Sequence, residues 1–206
     1  MTRIVVLISG RGSNFQAIVE ANLPVEIAAV ISNRPHAAGL DYARARGIPA
    51  VALDHTAHPS REAFDAALAG EIDRHAPDLV VLAGYMRILT PVFIQRFEGR
   101  LLNIHPSLLP SFPGLKTHER ALDEGVKIHG CTVHFVTADL DHGPIVIQAA
   151  VPVLPDDTPG TLAARVLQQE HRIYPMAILW FAEGRLIKMQ GRINLRGAGV
   201  SQSLFP

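Results

Sequence analysis

Three short stretches hold side chains whose types and spacing suit chemistry. The first is Leu101-Leu102-Asn103-Ile104-His105-Pro106. In extended chain Asn103 and His105 share one face and Ile104 takes the other. Pro106 biases His105 toward that extended conformation. An amide can donate to a carbonyl oxygen that is turning into an oxyanion. An imidazole titrates near neutrality and can give or take a proton. An Asn closing a strand beside a structural His would give the same pattern. The second stretch is Asp139-Leu140-Asp141-His142-Gly143. A carboxylate near His105 would favour the imidazolium, and it could take a proton from an attacking amine. Asp in a turn ending on Gly is also ordinary turn chemistry, and His142 is either a second titrating group or merely exposed.

The third stretch is Ser9-Gly10-Arg11-Gly12-Ser13-Asn14. Glycines let backbone amides approach an anion, and a helix N-terminus adds partial positive charge. Phe15 stands where a dinucleotide fingerprint needs its third glycine, and no Gly-Lys-Ser/Thr follows. A monophosphate therefore fits better than a dinucleotide or a triphosphate; the alternative is a plain tight turn. Gly84-Tyr85-Met86-Arg87-Ile88-Leu89 offers apolar residues for a flat aromatic ligand or for ordinary core. Glu170 and His171 interrupt a moderately apolar helix and face either a ligand or water. No Cys/His or His/carboxylate spacing suggests a metal, and no G-x-S-x-G elbow suggests a serine hydrolase.

These residues need a scaffold. Ile4–Ile8 and the run at 78–83 (DLVVLA) are continuous apolar stretches, which read as strands buried on both faces. Between and beside them fall strands at 25–32 and 50–53. Helices are predicted from Ser13 or Asn14 (as cap) to about 21, over 37–46, and from a Ser60 cap to about 75. That alternation calls for a parallel sheet with right-handed crossovers. Beyond Gly84 the pattern changes: a short helix at 91–97, a strand at 101–104, a proline-rich loop to Gly114 and a helix at 116–124. Long strands at 129–137 and 144–154 are joined closely enough to be antiparallel. A helix at 158–183 should bend at Pro175, and a small strand is expected at 186–189. The tail from Arg192 reads as loose. The fold class is α/β: one domain over 1–206, three layers (α/β/α), with a mixed, mostly parallel sheet. Its N-terminal half is Rossmann-like and its C-terminal half carries antiparallel strands.

Composition narrows the function classes. Lys+Arg and Asp+Glu balance at 19 each, so no overall field favours nucleic acid or an anionic membrane. The one cysteine, Cys131, excludes an internal disulfide framework and suits a reducing compartment. No apolar stretch approaches the roughly 20 residues of a membrane helix. A cytoplasmic enzyme without membrane or nucleic-acid partners, monomer or homodimer, is the expectation.

Over nearly its whole length the sequence resembles the phosphoribosylglycinamide formyltransferases, folate-dependent enzymes of purine synthesis. The resemblance runs through IVVLISGRGSN, DLVVLAGYMRIL, LLNIHPSLLPSFPGLKTH, HGCTVHFVTADLDHGPI, QQEHRIYP and WFAEGRL. NIHPSLLP with a downstream LD-x-G is shared by the wider formyltransferase fold family. SGRGSN and HRIYP point to the glycinamide branch. The resemblance implies transfer of a formyl group from 10-formyltetrahydrofolate, a co-substrate, to the amine of 5-phosphoribosylglycinamide. Neither a metal nor a nucleotide triphosphate is implied. By the same resemblance Asn103 and His105 stabilise the oxyanion, and Asp141 keeps His105 cationic and helps deprotonate the amine. Gly12, Ser13 and Asn14 would hold the phosphate and Glu170 the ribose or glycinamide end. Arg61, Met86, Arg87, Ile88, Leu89, Asn103, Ala138, Asp139, Leu140, Asp141 and His142 would form the folate site. His142 departs from the small residue common in relatives. Among the X-Pro bonds of the loop, Leu109–Pro110 is the first candidate for cis.

Two other readings stand beside this one. A formyltetrahydrofolate deformylase uses similar Asn-His-Asp chemistry with water as acceptor and usually carries an extra N-terminal domain. A catalytically silent nucleotide-binding module would keep the phosphate loop without needing Asn103, His105 or Asp141.

Overall fold

The computed structural model describes residues 1–197 and 201–205. The chain divides into two compact units, Met1–Asn103 and Ile104 onward. In the first, β1 (Thr2–Ile8), β2 (Val25–Ser32), β3 (Ala50–Ala52), β4 (Leu79–Leu82) and the start of β5 (Leu101–His105) form a parallel sheet in the order β3-β2-β1-β4-β5. Ile4 to Ile8 are wholly buried, as is every residue of β4 but Leu82, which is 6% exposed. Apolar character on both faces therefore produced the central strands, as continuous runs do in parallel sheets.

Four helices connect these strands: α1 (Ser13–Glu20), α2 (Ala38–Arg44), α3 (Arg61–Arg74) and α4 (Pro91–Arg96). Ser60 caps α3, its hydroxyl accepting the Ala63 N–H at 3.1 Å. Thr90 does the same for α4, with Pro91 at the first helical position where a missing N–H costs nothing. Ser13 and Asn14 are not the cap of α1 but its first residues. Gly12 holds the cap position at φ 71°, a left-handed conformation in which glycine meets no Cβ penalty.

The second unit holds α5 (Thr117–Asp123), β6 (Ile128–Phe135), β7 (Ile145–Pro152), α6 (Pro159–Ala182), β8 (Leu186–Met189), β9 (Arg192–Leu195) and β10 (Ser203–Leu204). β6 and β7 are antiparallel, as expected, and β10 pairs with β7 in parallel. Parallel pairing in the first unit and the antiparallel pair here make this a mixed α/β fold. α6 starts with a Thr158–Thr161 capping box and continues unbroken through a buried Pro175. The tail departs from expectation. Arg192–Leu195 pairs with β8 through Gln190 and Gly191, both at positive φ, which suits a tight primed hairpin turn. Ser203–Leu204 adds a strand by backbone pairing, which needs no hydrophobic pattern. The remaining tail residues, 198–200 and 206, lie outside the described ones.

The proline-rich loop is tied down by polar side chains of β6, β7 and α5 that bond its backbone. Thr132 of β6 donates to the Ser107 carbonyl at 2.7 Å and accepts the Leu109 N–H at 3.0 Å. Gln148 of β7 donates to the Leu109 carbonyl at 2.9 Å. Thr117 donates to the Pro106 carbonyl at 2.7 Å. The Leu109–Pro110 bond is cis.

Candidate active site

β5 ends the alternation that began at Leu101. Asn103 is half-buried while His105 is 5% exposed, and the two sit at alternate positions of one strand. Their side chains therefore leave the same face. The His105 ring is engaged at both nitrogens. Nε2 lies 3.0 Å from the Phe112 carbonyl. A carbonyl only accepts, so Nε2 carries a proton. Nδ1 lies 3.5 Å from Asp141 Oδ2, an ion-pair distance.

Asp141 is held for this role. It adopts φ 53°, a left-handed conformation that a short polar side chain tolerates. Its Oδ2 accepts the Gly114 N–H at 2.8 Å, and only 9% of the side chain is exposed. Its Oδ1 lies 3.8 Å from Nε2 of His134. The Asp141 carboxylate thus stands between two imidazoles. Burial pulls the His134 ring below the usual histidine range, against the opposing pull of the Phe135 carbonyl and Asp141. Gly143 follows because nothing larger fits: an added Cβ would stand 1.7 Å from the Phe135 carbonyl oxygen.

In the first unit the stretch from Ser9 to Asn14 links β1 to α1. Gly12, Ser13 and Asn14 form the N-terminal end of that helix, where unpaired amides and the helix dipole favour an anion. The Met86–Leu89 segment comes after β4. Met86 and Ile88 are 68% and 59% exposed, whereas Leu89 is buried. Arg87 lies over the Phe64 ring at 4.8 Å, and its Nε has no hydrogen-bond partner. Arg61 is the exposed first residue of α3.

In the second unit Ala138, Asp139, Leu140 and His142 surround the inward Asp141 on a largely exposed turn. The Asp139 carbonyl accepts the His142 N–H at 3.3 Å, closing the turn. Glu170 is buried on α6. Its charge adds to the burial that pushes the Cys131 thiol up. Among the described residues no group of three His, Cys, Asp or Glu side chains could hold a metal ion. No described helix is long and apolar enough to cross a membrane.

The structure thus brings together His105 and Asp141, which no spacing in the sequence links. It adds His134, in the sequence one of two histidines on a strand. Alternation along β6 places His134 on a face, but no local signal ties it to the Asp141 turn. Ser9 and Asn33 carry no such signal either; their hydroxyl–amide bond of 2.6 Å crosses between two strand ends.

The formyl transferase family matches residues 2–178. The chain is 55% identical over 187 residues to phosphoribosylglycinamide formyltransferase of Escherichia coli (strain K12), covering 89% of this chain and 88% of that one. The crystal structure of glycinamide ribonucleotide transformylase 1 from Symbiobacterium toebii superposes with a TM-score of 0.91 at 54% identity, covering 95% and 94% of the two chains. Phosphoribosylglycinamide formyltransferase from Coxiella burnetii, solved with CHES, gives 0.92 at 48% identity over 100% and 99%.

Proposed function

This chain belongs to the formyl transferase family, and on that premise we propose that it transfers a formyl group from 10-formyltetrahydrofolate to the amine of 5-phosphoribosylglycinamide. The observation that carries the reading is the buried His105–Asp141 pair, 3.5 Å apart, with His105 on the strand that also bears Asn103. The amine attacks the formyl carbon, forming a C–N bond and a tetrahedral oxyanion. The Asn103 amide donates to that oxygen. The proton on His105 Nε2, held here by the Phe112 carbonyl, is the second donor available to it. The Asp141 carboxylate faces the imidazole at ion-pair distance and takes the proton the amine sheds, directly or through water. Collapse breaks the carbon–N10 bond of the folate, and the proton taken from the amine passes to N10, so that tetrahydrofolate leaves neutral. Preorganised donors of this kind supply about 3–4 kcal/mol each.

In this reading Gly12, Ser13 and Asn14 hold the phosphate and Glu170 contacts the ribose or glycinamide end. Arg61, Met86, Arg87, Ile88, Leu89, Asn103 and the 138–142 loop hold the folate. The formyl donor is already activated, so the reaction calls for neither a nucleotide triphosphate nor a metal. We treat the two units as halves of one formyltransferase domain over 1–206, supported by a family match that runs through both. The reading also places the enzyme in the cytoplasm, as monomer or homodimer, with small molecules as its partners.

The direct test mixes protein with 10-formyltetrahydrofolate and glycinamide ribonucleotide and tracks both by mass spectrometry. The acceptor should gain one formyl group as tetrahydrofolate accumulates. Formate released without acceptor would make it a hydrolase. Neither product would leave a nucleotide-binding module.

A further inference from the structure

In the first unit, three adjacent parallel strands, β2, β1 and β4, end side by side, and one hydroxyl joins the segments that leave them. Ser9 comes directly after β1 and is 4% exposed. Its Oγ accepts the Met86 N–H at 2.8 Å, reaching past the end of β4. The same Oγ donates to Asn33 Oδ1 at 2.6 Å, just past the end of β2. Its backbone N–H donates to the Gly84 carbonyl at 3.2 Å. Asn33 is 3% exposed and is fixed in turn: His55 Nδ1 donates to its carbonyl at 2.8 Å. With that proton committed, the 3.4 Å approach of the Asn33 amide to the same nitrogen is not a second hydrogen bond.

The far side of the same loop has a separate brace. The Gly39 N–H donates to the Gly10 carbonyl at 3.1 Å. A Cβ at Gly39 would stand 2.5 Å from Ile8 Cδ1 and 3.2 Å from the Gly10 and Arg11 carbonyl oxygens. So the loop carrying Gly12, Ser13 and Asn14 rests against Gly39 on one side. On the other it shares Ser9 with the segment Met86–Leu89.

We infer that Ser9 is a positioning residue for both substrates. Through Met86 and Asn33, its hydroxyl sets the phosphate-binding loop and the folate-binding segment in one register. This rests on the functional reading above. Removing the hydroxyl strips Met86 of its acceptor and Asn33 of its donor at once, so both segments loosen together. The atoms nearest an added Gly39 Cβ belong to Ile8 and the phosphate loop and none to the Met86–Leu89 segment, so crowding there acts on one substrate.

The test is calorimetric binding of glycinamide ribonucleotide and of tetrahydrofolate, each alone, to the full-length wild type and to Ser9→Ala, Asn33→Ala and Gly39→Ala. Ser9→Ala should weaken both ligands about tenfold, and Asn33→Ala should weaken both by a smaller factor. Gly39→Ala should weaken the ribonucleotide alone. In steady-state transfer, Ser9→Ala should raise both KM values with kcat at saturation within about threefold. Hydrogen exchange at the Met86 amide should quicken in Ser9→Ala. Asn33→Ala decides the matter if Ser9→Ala does not fold. Binding of either ligand within twofold of wild type in Ser9→Ala, or in Asn33→Ala when that alone folds, would overturn the inference and leave the function standing. A wild type that binds neither ligand would defeat the functional reading itself.

Discussion

Asp141 Oδ2 sits 3.5 Å from Nδ1 of His105 while accepting the Gly114 N–H at 2.8 Å, so one oxygen faces both the imidazole and a fixed backbone donor. Charge and shape can therefore be separated at this position. Asp141→Asn keeps an oxygen for Gly114 but removes the charge facing His105. Steady-state rates should fall by about 100-fold or more, within the span general acid–base groups contribute. The thermal midpoint should stay within a few degrees. A rate near wild type would remove Asp141 from the mechanism.

Asn103→Ala and His105→Ala each delete one proposed oxyanion donor. Each should lower kcat by about 10²- to 10³-fold. The KM for the ribonucleotide should move far less, because its phosphate is assigned to Gly12, Ser13 and Asn14. Losses confined to KM would make these two residues binding groups instead.

Acid should destabilise the protein through its buried histidines. His129 is 1% exposed, and burial with neighbouring His118 pulls its pKa down to about 4, against a weaker upward pull from the Pro106 carbonyl. His118 and His134 are also lowered, chiefly by burial. The unfolded chain, with histidine near pH 6.5, takes up protons that the folded form refuses. Stability is therefore full above about pH 6.5 and declines as pH falls toward 4. His129 contributes on the order of 3 kcal/mol to that decline. His129→Phe should flatten the slope of unfolding free energy across this window. An unchanged slope would show that His129 titrates alike in both states.

Two glycines should respond in opposite ways to alanine. At Gly143 the added Cβ would meet the Phe135 carbonyl oxygen at 1.7 Å, so backbone must move. We expect a loss of about 1–3 kcal/mol, as for other overpacked sites, and reduced turnover because Asp141 lies two residues away. At Gly70, inside α3, an added Cβ meets nothing within 4 Å. Alanine there should add about 0.5–1 kcal/mol with turnover unchanged. Chemical denaturation of both variants checks the pair.

The order of elements was legible in the residues themselves. Ile4–Ile8 and Leu79–Leu82 are apolar without interruption, and only a strand covered on both faces satisfies such a run. Ser60 signalled a helix start because a hydroxyl there meets amides that have no other partner. The alternation in Leu101–His105 put Asn103 and His105 on one face before any coordinates. Other features had no local signature. β10 joins β7 by backbone pairing, which leaves no mark on its two side chains. Gly12, rather than Ser13 or Asn14, caps α1 because the turn needs a left-handed residue, a demand set by where β1 delivers the chain.

By itself, then, the sequence determined the strands and helices up to β8, and which side chains leave them on a common face, because periodicity and capping act over a few residues. Only the tertiary structure decided that Asp141 meets His105 and His134, and that Ser9 joins Asn33 to Met86. All of those pairings but His134 with Asp141 span long stretches of chain. They depend on how strands line up beside one another, and no short-range pattern encodes that alignment.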